Sequence, residues 1–150
     1  MKDTDIKVGV VGYSAQEFDV QHAQACVEDA FDKVEAIYSF RLKNFDHRII
    51  CISGLTDIGI PALAYREAVK RGWQTAGVAC SLAEDYECFD VDEKTIVGDQ
   101  WGGESETFLS MIGVMIKIGG GKQSDDEMKK HKENGLPVFE YVLEADQPDA

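Results

Sequence analysis

The sequence has few basic residues and no long apolar run. Its 150 residues include 15 lysines and arginines against 28 aspartates and glutamates, a formal net charge of −13. Binding to a nucleic-acid backbone requires clustered Lys and Arg, so this charge predicts no nucleic-acid partner. No stretch reaches the roughly 18 apolar residues of a membrane-spanning helix, so we expect no membrane partner. The first residues lead directly into an apolar strand without a signal-peptide core, which predicts a cytoplasmic protein.

Cysteine and histidine are too scattered to indicate a disulfide framework, a metal centre or a histidine-activated nucleophile. The four cysteines show no CxxC spacing: Cys26, Cys51, Cys80 and Cys88. We therefore expect reduced thiols, as is usual in the cytosol. The three histidines fall in helical or loop segments that look exposed: His22, His47 and His131. The sequence predicts no metal site and no cofactor.

The residues that are present suit one folded domain. Hydrophobic residues make up 44% of the chain, and a chain of this length buries about 70% of the surface that it exposes when unfolded. We expect a single domain over residues 1–143. The remaining residues, 144–150, are acidic, include Pro148 and predict a flexible tail.

Short apolar runs alternate with helical patterns along this domain. The runs that predict strands are 7–11, 48–53, 74–80, 95–97, 114–118 and 136–143. The segments that predict helices are 15–37, 61–71, 104–112 and 124–134. Such alternation is typical of βαβ units with helices on both faces of a sheet. The sequence therefore predicts an α/β protein, a single Rossmann-like three-layer domain with a mostly parallel sheet.

Three loops that follow predicted strands carry small residues: 12–14, 53–59 and 119–124. Loops of this kind meet at the carboxyl edge of a parallel sheet, where glycine lets backbone amides approach a phosphate. The groups expected to bind it are the backbone amides of Gly12, Gly120 and Gly121, the hydroxyls of Thr56 and Ser124, and the positive charge of Lys122. Ser14 either joins this site or caps the first helix. No loop matches GxGxxG or a Walker A motif, so simple tight turns stay an alternative.

The acidic segment 124–127 has two interpretations. Ser124 and Glu127 fit a capping box, S-x-x-E, which would explain the segment without a ligand. Alternatively, Glu127 is a catalytic acid or a ribose ligand, with Asp126 beside it. Three carboxylates near a helix N-terminus also disfavour a bound anion, a conflict that Lys122 would offset in part.

Two segments carry a family resemblance, SGLTDIGIPALAYREAVKRG after the second strand and VMIKIGGGKQSDDE near the C-terminus. Their order and content resemble the SLOG superfamily over roughly residues 7–142. That superfamily includes the Lonely-guy (LOG) phosphoribohydrolases, once taken for lysine decarboxylases, the DNA-processing protein Smf and the molybdenum cofactor carrier proteins. The resemblance implies a Rossmann-like fold, a nucleotide-like ligand and a homo-oligomer.

The LOG patterns can be placed on both segments. The pattern GGGxxGLMG aligns with positions 54–59 and implies ligand-binding residues there: Gly54, Thr56 and Gly59. The pattern PGGxGTxEE aligns with positions 119–127 and implies a phosphate and ribose site: Gly120, Gly121, Ser124, Asp126 and Glu127. A register shifted by one residue would place the two acids on Asp125 and Asp126. Asp57 is either a further ribose ligand or a turn former or helix cap. Trp101 either stacks on a base or packs at a subunit interface or the edge of the core.

One departure from the LOG pattern bears on catalysis. LOG enzymes carry an arginine about 16 residues before the paired glycines, and the same count from Gly120 reaches Glu104. No Lys or Arg occurs between Trp101 and Ile116. The first hypothesis is therefore a protein that binds a nucleotide or phosphorylated nucleoside-like ligand, such as a pterin nucleotide, without strong catalysis. The second is a phosphoribohydrolase that cleaves the N-glycosidic bond of a nucleoside 5′-monophosphate, with another cation in place of the arginine.

Overall fold

The computed structural model describes residues 1–14 and 17–144, so positions 145–150 of the predicted tail lie outside the described residues. The strands, in chain order, are β1 (Ile6–Gly12), β2 (Ile49–Ser53), β3 (Gln74–Ala79), β4 (Glu93–Ile96), β5 (Val114–Ile118) and β6 (Val138–Tyr141). The α-helices are α1 (Val20–Ile37), α2 (Ser39–Asn44), α3 (Gly59–Lys70), α4 (Ser105–Met111) and α5 (Lys122–Glu133). A 3₁₀ helix covers Ser81–Asp85. Within the described residues no helix is both long and apolar enough to cross a membrane.

The six strands form one parallel sheet in the order β4-β3-β2-β1-β5-β6. β1 is central: its Val8 pairs with Cys51 of β2 on one side and with Val114 of β5 on the other. The chain winds outward from β1 in both directions, so the switch point of the topology lies between β1 and β5. This arrangement confirms the predicted Rossmann-like α/β class.

Side chains of the strands alternate between two hydrophobic clusters, one on each face of the sheet. On β1, Val8 and Val10 face the cluster that α1 and α3 cover, whereas Val11 faces the opposite cluster. The opposite cluster contains Phe108 and Ile112, from α4 and the residue that follows it. Helices therefore cover both faces, as the three-layer prediction requires.

The start of α1 excludes one of the two roles predicted for Ser14, that of capping this helix. The helix begins at Val20, and its N-cap is Asp19, whose carboxylate accepts the N–H of His22 at 3.1 Å. An Asp at the N-cap satisfies one of the free amides of the first turn. Ser14 lies outside the helix, so its role as a helix cap was wrong.

Tyr65 of α3 joins the carboxyl end of β2 to the middle of β3. Its ring is fully buried and stacks on Phe89 with a centroid distance of 4.9 Å. Its hydroxyl accepts the N–H of Ser53 at 3.1 Å and lies 2.8 Å from the carbonyl of Gly54 and 2.9 Å from that of Ala76. One buried hydroxyl thus holds the loop that leaves β2 against the neighbouring strand.

We predict that Tyr65→Phe lowers the free energy of unfolding by about 1–3 kcal/mol, because the buried amide and carbonyls lose their partner. Urea denaturation of both proteins measures this difference. Tyr86→Phe is the matched control, since Tyr86 is 59% exposed, and it should change the free energy by less than about 0.5 kcal/mol. Equal losses in the two variants would contradict the proposed role of the buried hydroxyl.

Candidate functional site

A cavity of about 380 Å³ opens at the carboxyl ends of β1, β2, β3 and β5, beside the switch point of the sheet. Its lining comes from Pro61 of α3 and from five segments, at positions 10–14, 53–56, 78–83, 101–108 and 121–127. All three glycine-bearing loops that the sequence analysis identified contribute to it. This is where ligands bind in open parallel sheets, and the volume is in the range of small-ligand pockets.

The first loop lies at a close approach of three backbone segments. A Cβ atom at Gly12 would overlap the carbonyl oxygen of Ile118 at the end of β5 and lie 2.8 Å from Cγ1 of Ile60 at the start of α3. The carbonyl of the next residue, Tyr13, accepts the N–H of Ile60 at 2.8 Å. Gly12 and Ser14 both line the cavity.

Of the four site residues predicted in the second loop, two line the cavity and two are not in the described lining. Gly54 and Thr56 line the cavity, and nothing lies within 4 Å of the position of a Cβ atom at Gly54. Gly59 has a φ of 66° and packs against the backbone of Tyr13. Asp57 forms an ion pair with Arg66 at 2.9 Å. Gly59 and Asp57 are absent from the described lining, because the first is engaged in packing and the second in this pair.

In the third loop, the first two glycines have positive φ values that form the turn, and the last glycine borders free space. Gly119 and Gly120 have φ values of 60° and 104°, and a Cβ atom at Gly120 would lie 2.7 Å from Cβ of Ser124. Gly121 lines the cavity with nothing within 4 Å of the position of its absent Cβ. Gly120 is not part of the described lining. Gly121 is thus the glycine of this loop that faces the cavity.

The start of α5 corrects the predicted capping box. The N-cap is Gly121 without a side-chain cap, and the first helical bond runs from the N–H of Asp125 to the carbonyl of Gly121. Ser124 is thus the third residue of the helix, buried and in the cavity lining. The capping box was wrong because the helix begins two residues before Ser124. The amides at 122–124 precede the first helical bond and have no acceptor within the helix.

The three acids that follow are held in three different ways. Asp125 pairs at 3.0 Å with Lys117, a buried lysine of β5 that also donates to the carbonyl of Gly119 at 2.8 Å. Asp126 is exposed and pairs at 2.9 Å with Lys122, whose proximity lowers the pKa of that carboxyl. Asp126 is not in the described lining. Two of the three charges near the helix N-terminus are therefore compensated by lysines.

Glu127, the third acid, is 7% exposed and lines the cavity. Burial raises the pKa of its carboxyl to about 7, and the charges of Glu104 and Asp126 add to this rise. Ser105 and Gln123 face the carboxyl as hydrogen-bonding groups and oppose the rise. Near neutral pH, Glu127 therefore exists in both protonation states and can either donate or accept a hydrogen bond.

Glu104 lines the cavity next to the first turn of α5. Its Oε2 accepts the N–H of Gly102 and its Oε1 accepts Nε2 of Gln123, both at 3.2 Å. Nε2 of Gln123 also lies 3.4 Å from Oγ of Ser105. Trp101 also lines the cavity and is 55% exposed. Among the described lining residues, Lys122 is the one lysine or arginine, and its side chain is 91% exposed.

Two buried residues on the α5 side of the sheet differ from the sequence analysis, which did not identify Lys117 and predicted His131 to be exposed. Lys117 occurs inside an apolar strand, VMIKI. The side chains before and after it, Ile116 and Ile118, face the α1 and α3 side, so the alternation of a strand would have placed Lys117 on the α5 face. His131 is fully buried, with Nε2 3.1 Å from the carbonyl of Pro137. Its predicted exposure was wrong, because the inner face of α5 is polar and consists of Ser124, Glu127 and His131.

The described residues contain no group of three His, Cys, Asp or Glu side chains that could hold a metal ion. The four cysteines are free thiols. Three of them are buried, at Cys26, Cys51 and Cys80. The polar groups at the cavity are thus carboxylates, hydroxyls, amides and one ammonium, which suit an organic ligand.

Comparison with solved structures shows what this architecture is similar to. The Moco carrier protein from Chlamydomonas reinhardtii superimposes with a TM-score of 0.68 at 18% identity, over 96% of this chain and 78% of that chain. The molybdenum cofactor binding protein from the phototrophic bacterium Rippkaea orientalis gives 0.62 at 19% identity, over 95% and 78%. The chain has the fold of the molybdenum cofactor carrier proteins. The fold predicted from the SLOG resemblance is therefore confirmed.

A structural-genomics target named TM1055 shares the fold as well, with a TM-score of 0.65 at 19% identity over 89% of this chain and 72% of that chain. No protein-family model matches the sequence, and no curated protein matches it. At these identities the likeness concerns the fold, so the function has to be argued from the cavity.

We predict that Glu127→Gln removes a pH dependence from the stability. A carboxyl whose pKa is about 7 when folded and near 4.5 when unfolded stabilises the fold fully below pH 4.5, and this contribution is lost as the pH rises through 7. The wild-type protein should therefore lose on the order of 1–3 kcal/mol relative to Glu127→Gln between pH 5 and pH 8.

Urea denaturation at both pH values tests this prediction. Glu133→Gln is the control, since Glu133 is an exposed acid at the end of the same helix and should shift stability equally at both pH values. A constant difference between wild type and Glu127→Gln would show that this carboxyl titrates normally.

Proposed function

We propose that the cavity binds a nucleotide or phosphorylated nucleoside-like ligand and holds it without strong catalysis. The observation that carries this proposal is the start of α5: amides at 122–124 without helical acceptors, next to the open face of Gly121 in the cavity lining. Donors of this kind, reinforced by the helix dipole, bind phosphate.

The charges around α5 support an anion despite its acidic sequence. Lys117 compensates Asp125 and Lys122 compensates Asp126. Glu127 is partly protonated near neutral pH, because burial raises its pKa to about 7. The full repulsion of three carboxylates is therefore not felt at the helix N-terminus. The hydroxyls of Ser14, Thr56 and Ser124 in the lining add neutral donors.

Binding is favoured over cleavage by the position of Glu104. The LOG resemblance requires an arginine there, and this chain places a carboxylate in the cavity lining instead. The one lysine among the described lining residues, Lys122, is exposed and paired with Asp126. A transition state with a reacting nucleotide would lack the cation that the LOG pattern provides.

The names of the similar structures support a pterin-containing ligand as one member of this class. Two of them are called a Moco carrier protein and a molybdenum cofactor binding protein. A phosphate-bearing heterocycle of that kind suits a cavity whose lining offers both amide donors and an exposed indole. The homo-oligomer, the cytoplasmic location and the single domain over 1–143 stay predictions.

Gly121→Leu tests the proposal by placing a side chain in the open space. The extended φ of −106° at Gly121 accepts any residue, and the position of its Cβ is free of protein atoms. We therefore expect a normal thermal midpoint and at least about tenfold weaker binding of ribose 5-phosphate and nucleoside monophosphates, from lost phosphate contacts. Isothermal titration calorimetry measures both proteins.

Gly113→Ala is the control, because its Cβ would make only an ordinary contact, 3.8 Å from the carbonyl oxygen of Lys7, outside this cavity. It should bind as the wild type does. Unchanged binding in a folded Gly121→Leu variant would place the ligand elsewhere. Absence of binding by the wild type to every member of the panel would refute the proposed function.

One observation favours the second candidate, cleavage of the N-glycosidic bond. A buried carboxyl with a pKa of about 7, such as that of Glu127, can donate a proton to a leaving base, and in its ionised form it can stabilise an oxocarbenium ion. In this reaction water adds to C1′ of the ribose and the base leaves with a proton.

Incubation with nucleoside monophosphates, followed by mass spectrometry for free base, distinguishes the two candidates. We expect intact nucleotides across the panel, because Glu104 replaces the required arginine. Release of base that disappears in Glu127→Ala would establish the hydrolase and overturn a purely binding role.

A further inference from the structure

The wall of the cavity formed by residues 101–105 differs chemically from the phosphate-binding side. Trp101 and Glu104 both line the cavity and belong to the same short segment before α4. Neither residue is explained by binding of a phosphate, since an indole is apolar and a carboxylate repels an anion. Their combination indicates what the other end of the ligand carries.

Glu104 is held in a fixed orientation by donors from two parts of the chain. The N–H of Gly102 binds Oε2 and the side-chain amide of Gln123 binds Oε1, each at 3.2 Å. No lysine or arginine pairs with Glu104 among residues 1–14 and 17–144. A carboxylate has about four lone-pair sites, so both oxygens keep the capacity to accept a further hydrogen bond.

Trp101 supplies an independent indication of a planar partner. Its side chain is 55% exposed although it lines a cavity, and its ring lies 5.9 Å from that of Tyr86 at an angle of 57°. A large aromatic side chain is usually buried, and one that remains exposed at a cavity offers a surface for stacking.

We propose that Trp101 and Glu104 form a subsite for a planar heterocycle with two adjacent N–H donors, the 2-amino-4-oxopyrimidine edge that guanine and pterins share. The ring stacks on the indole, and its N–H and NH₂ groups donate to the two oxygens of Glu104. Adenine presents an acceptor nitrogen beside its amino group and cannot satisfy both oxygens. The inference rests on the proposed function, because the phosphate of the same ligand binds at α5.

The experiment compares ribose 5-phosphate, AMP, IMP, GMP and neopterin monophosphate by isothermal titration calorimetry. GMP and IMP differ in the 2-amino group alone. We expect GMP to bind at least about tenfold more tightly than IMP, as for a bidentate contact to a base edge. Glu104→Gln should reduce this ratio to about one, because an amide offers a single acceptor oxygen, and it should not weaken the binding of ribose 5-phosphate, because the variant only removes a charge that repels the phosphate.

Two further variants separate the subsite from a general effect on folding. Glu106→Gln removes the same charge from an exposed position of α4 outside the described lining, and it should keep the preference for GMP. Trp101→Ala should weaken the ligands that contain a base and spare ribose 5-phosphate, whereas Trp101→Phe should retain most of the affinity. Thermal midpoints equal to wild type show that each variant is folded.

Equal affinities of the wild type for GMP and IMP would overturn the subsite. If the wild type still bound ribose 5-phosphate in that case, the proposed function would stand. A preference for GMP that persists in Glu104→Gln would also overturn it. Tighter binding of the pterin phosphate than of GMP supports the subsite with a pterin as its occupant, and the reverse order supports it with guanine. Failure of every ligand, ribose 5-phosphate included, would refute the proposed function itself.

Discussion

The architecture of the site depends on a close approach of backbone at the end of β1. Gly12 leaves no room for a Cβ atom between Ile118 at the end of β5 and Ile60 at the start of α3. The neighbouring carbonyl of Tyr13 fixes the first turn of α3 through a hydrogen bond of 2.8 Å. Because no Cβ atom stands at Gly12, the ends of β1 and β5 and the start of α3 come together, and the loops there share one cavity. Larger residues would separate the loops and open the cavity to solvent.

Next to this point, lysines compensate the carboxylates in the first turns of α5. The inner face of this helix is polar, and the sheet meets it with the buried ammonium of Lys117. That group bonds the carbonyl of Gly119 and pairs with Asp125, so it joins β5, the third loop and the first turn of the helix. These bonds fix the glycine loop and orient the amides at 122–124, so the ligand proposed above would meet them already in place. Preorganisation of this kind reduces the entropy that a ligand loses on binding.

The fold was predictable because its signal is repeated along the chain. The apolar run at 114–118 coincides with β5, and the order of strands and loops placed the cavity at the correct edge of the sheet. Local patterns failed where tertiary contacts compete with them. His131 looked exposed but is fully buried, and the capping box at Ser124 gave way to an earlier start of α5. Both outcomes depend on residues of other turns or elements, which no short motif encodes.

The strand order also brings together, at the site, parts that are far apart along the chain. The strands from β1 to β4 are consecutive neighbours in the sheet, whereas β5 must return to the free side of β1, where Val114 meets Val8. Closing so long a loop carries an entropic cost, so pairing across β1 and β5 is intrinsically slow. An intermediate with four strands would lack the third loop and α5, and hence the amides for a phosphate. A ligand that binds only the completed sheet would therefore draw the last strands into place by mass action.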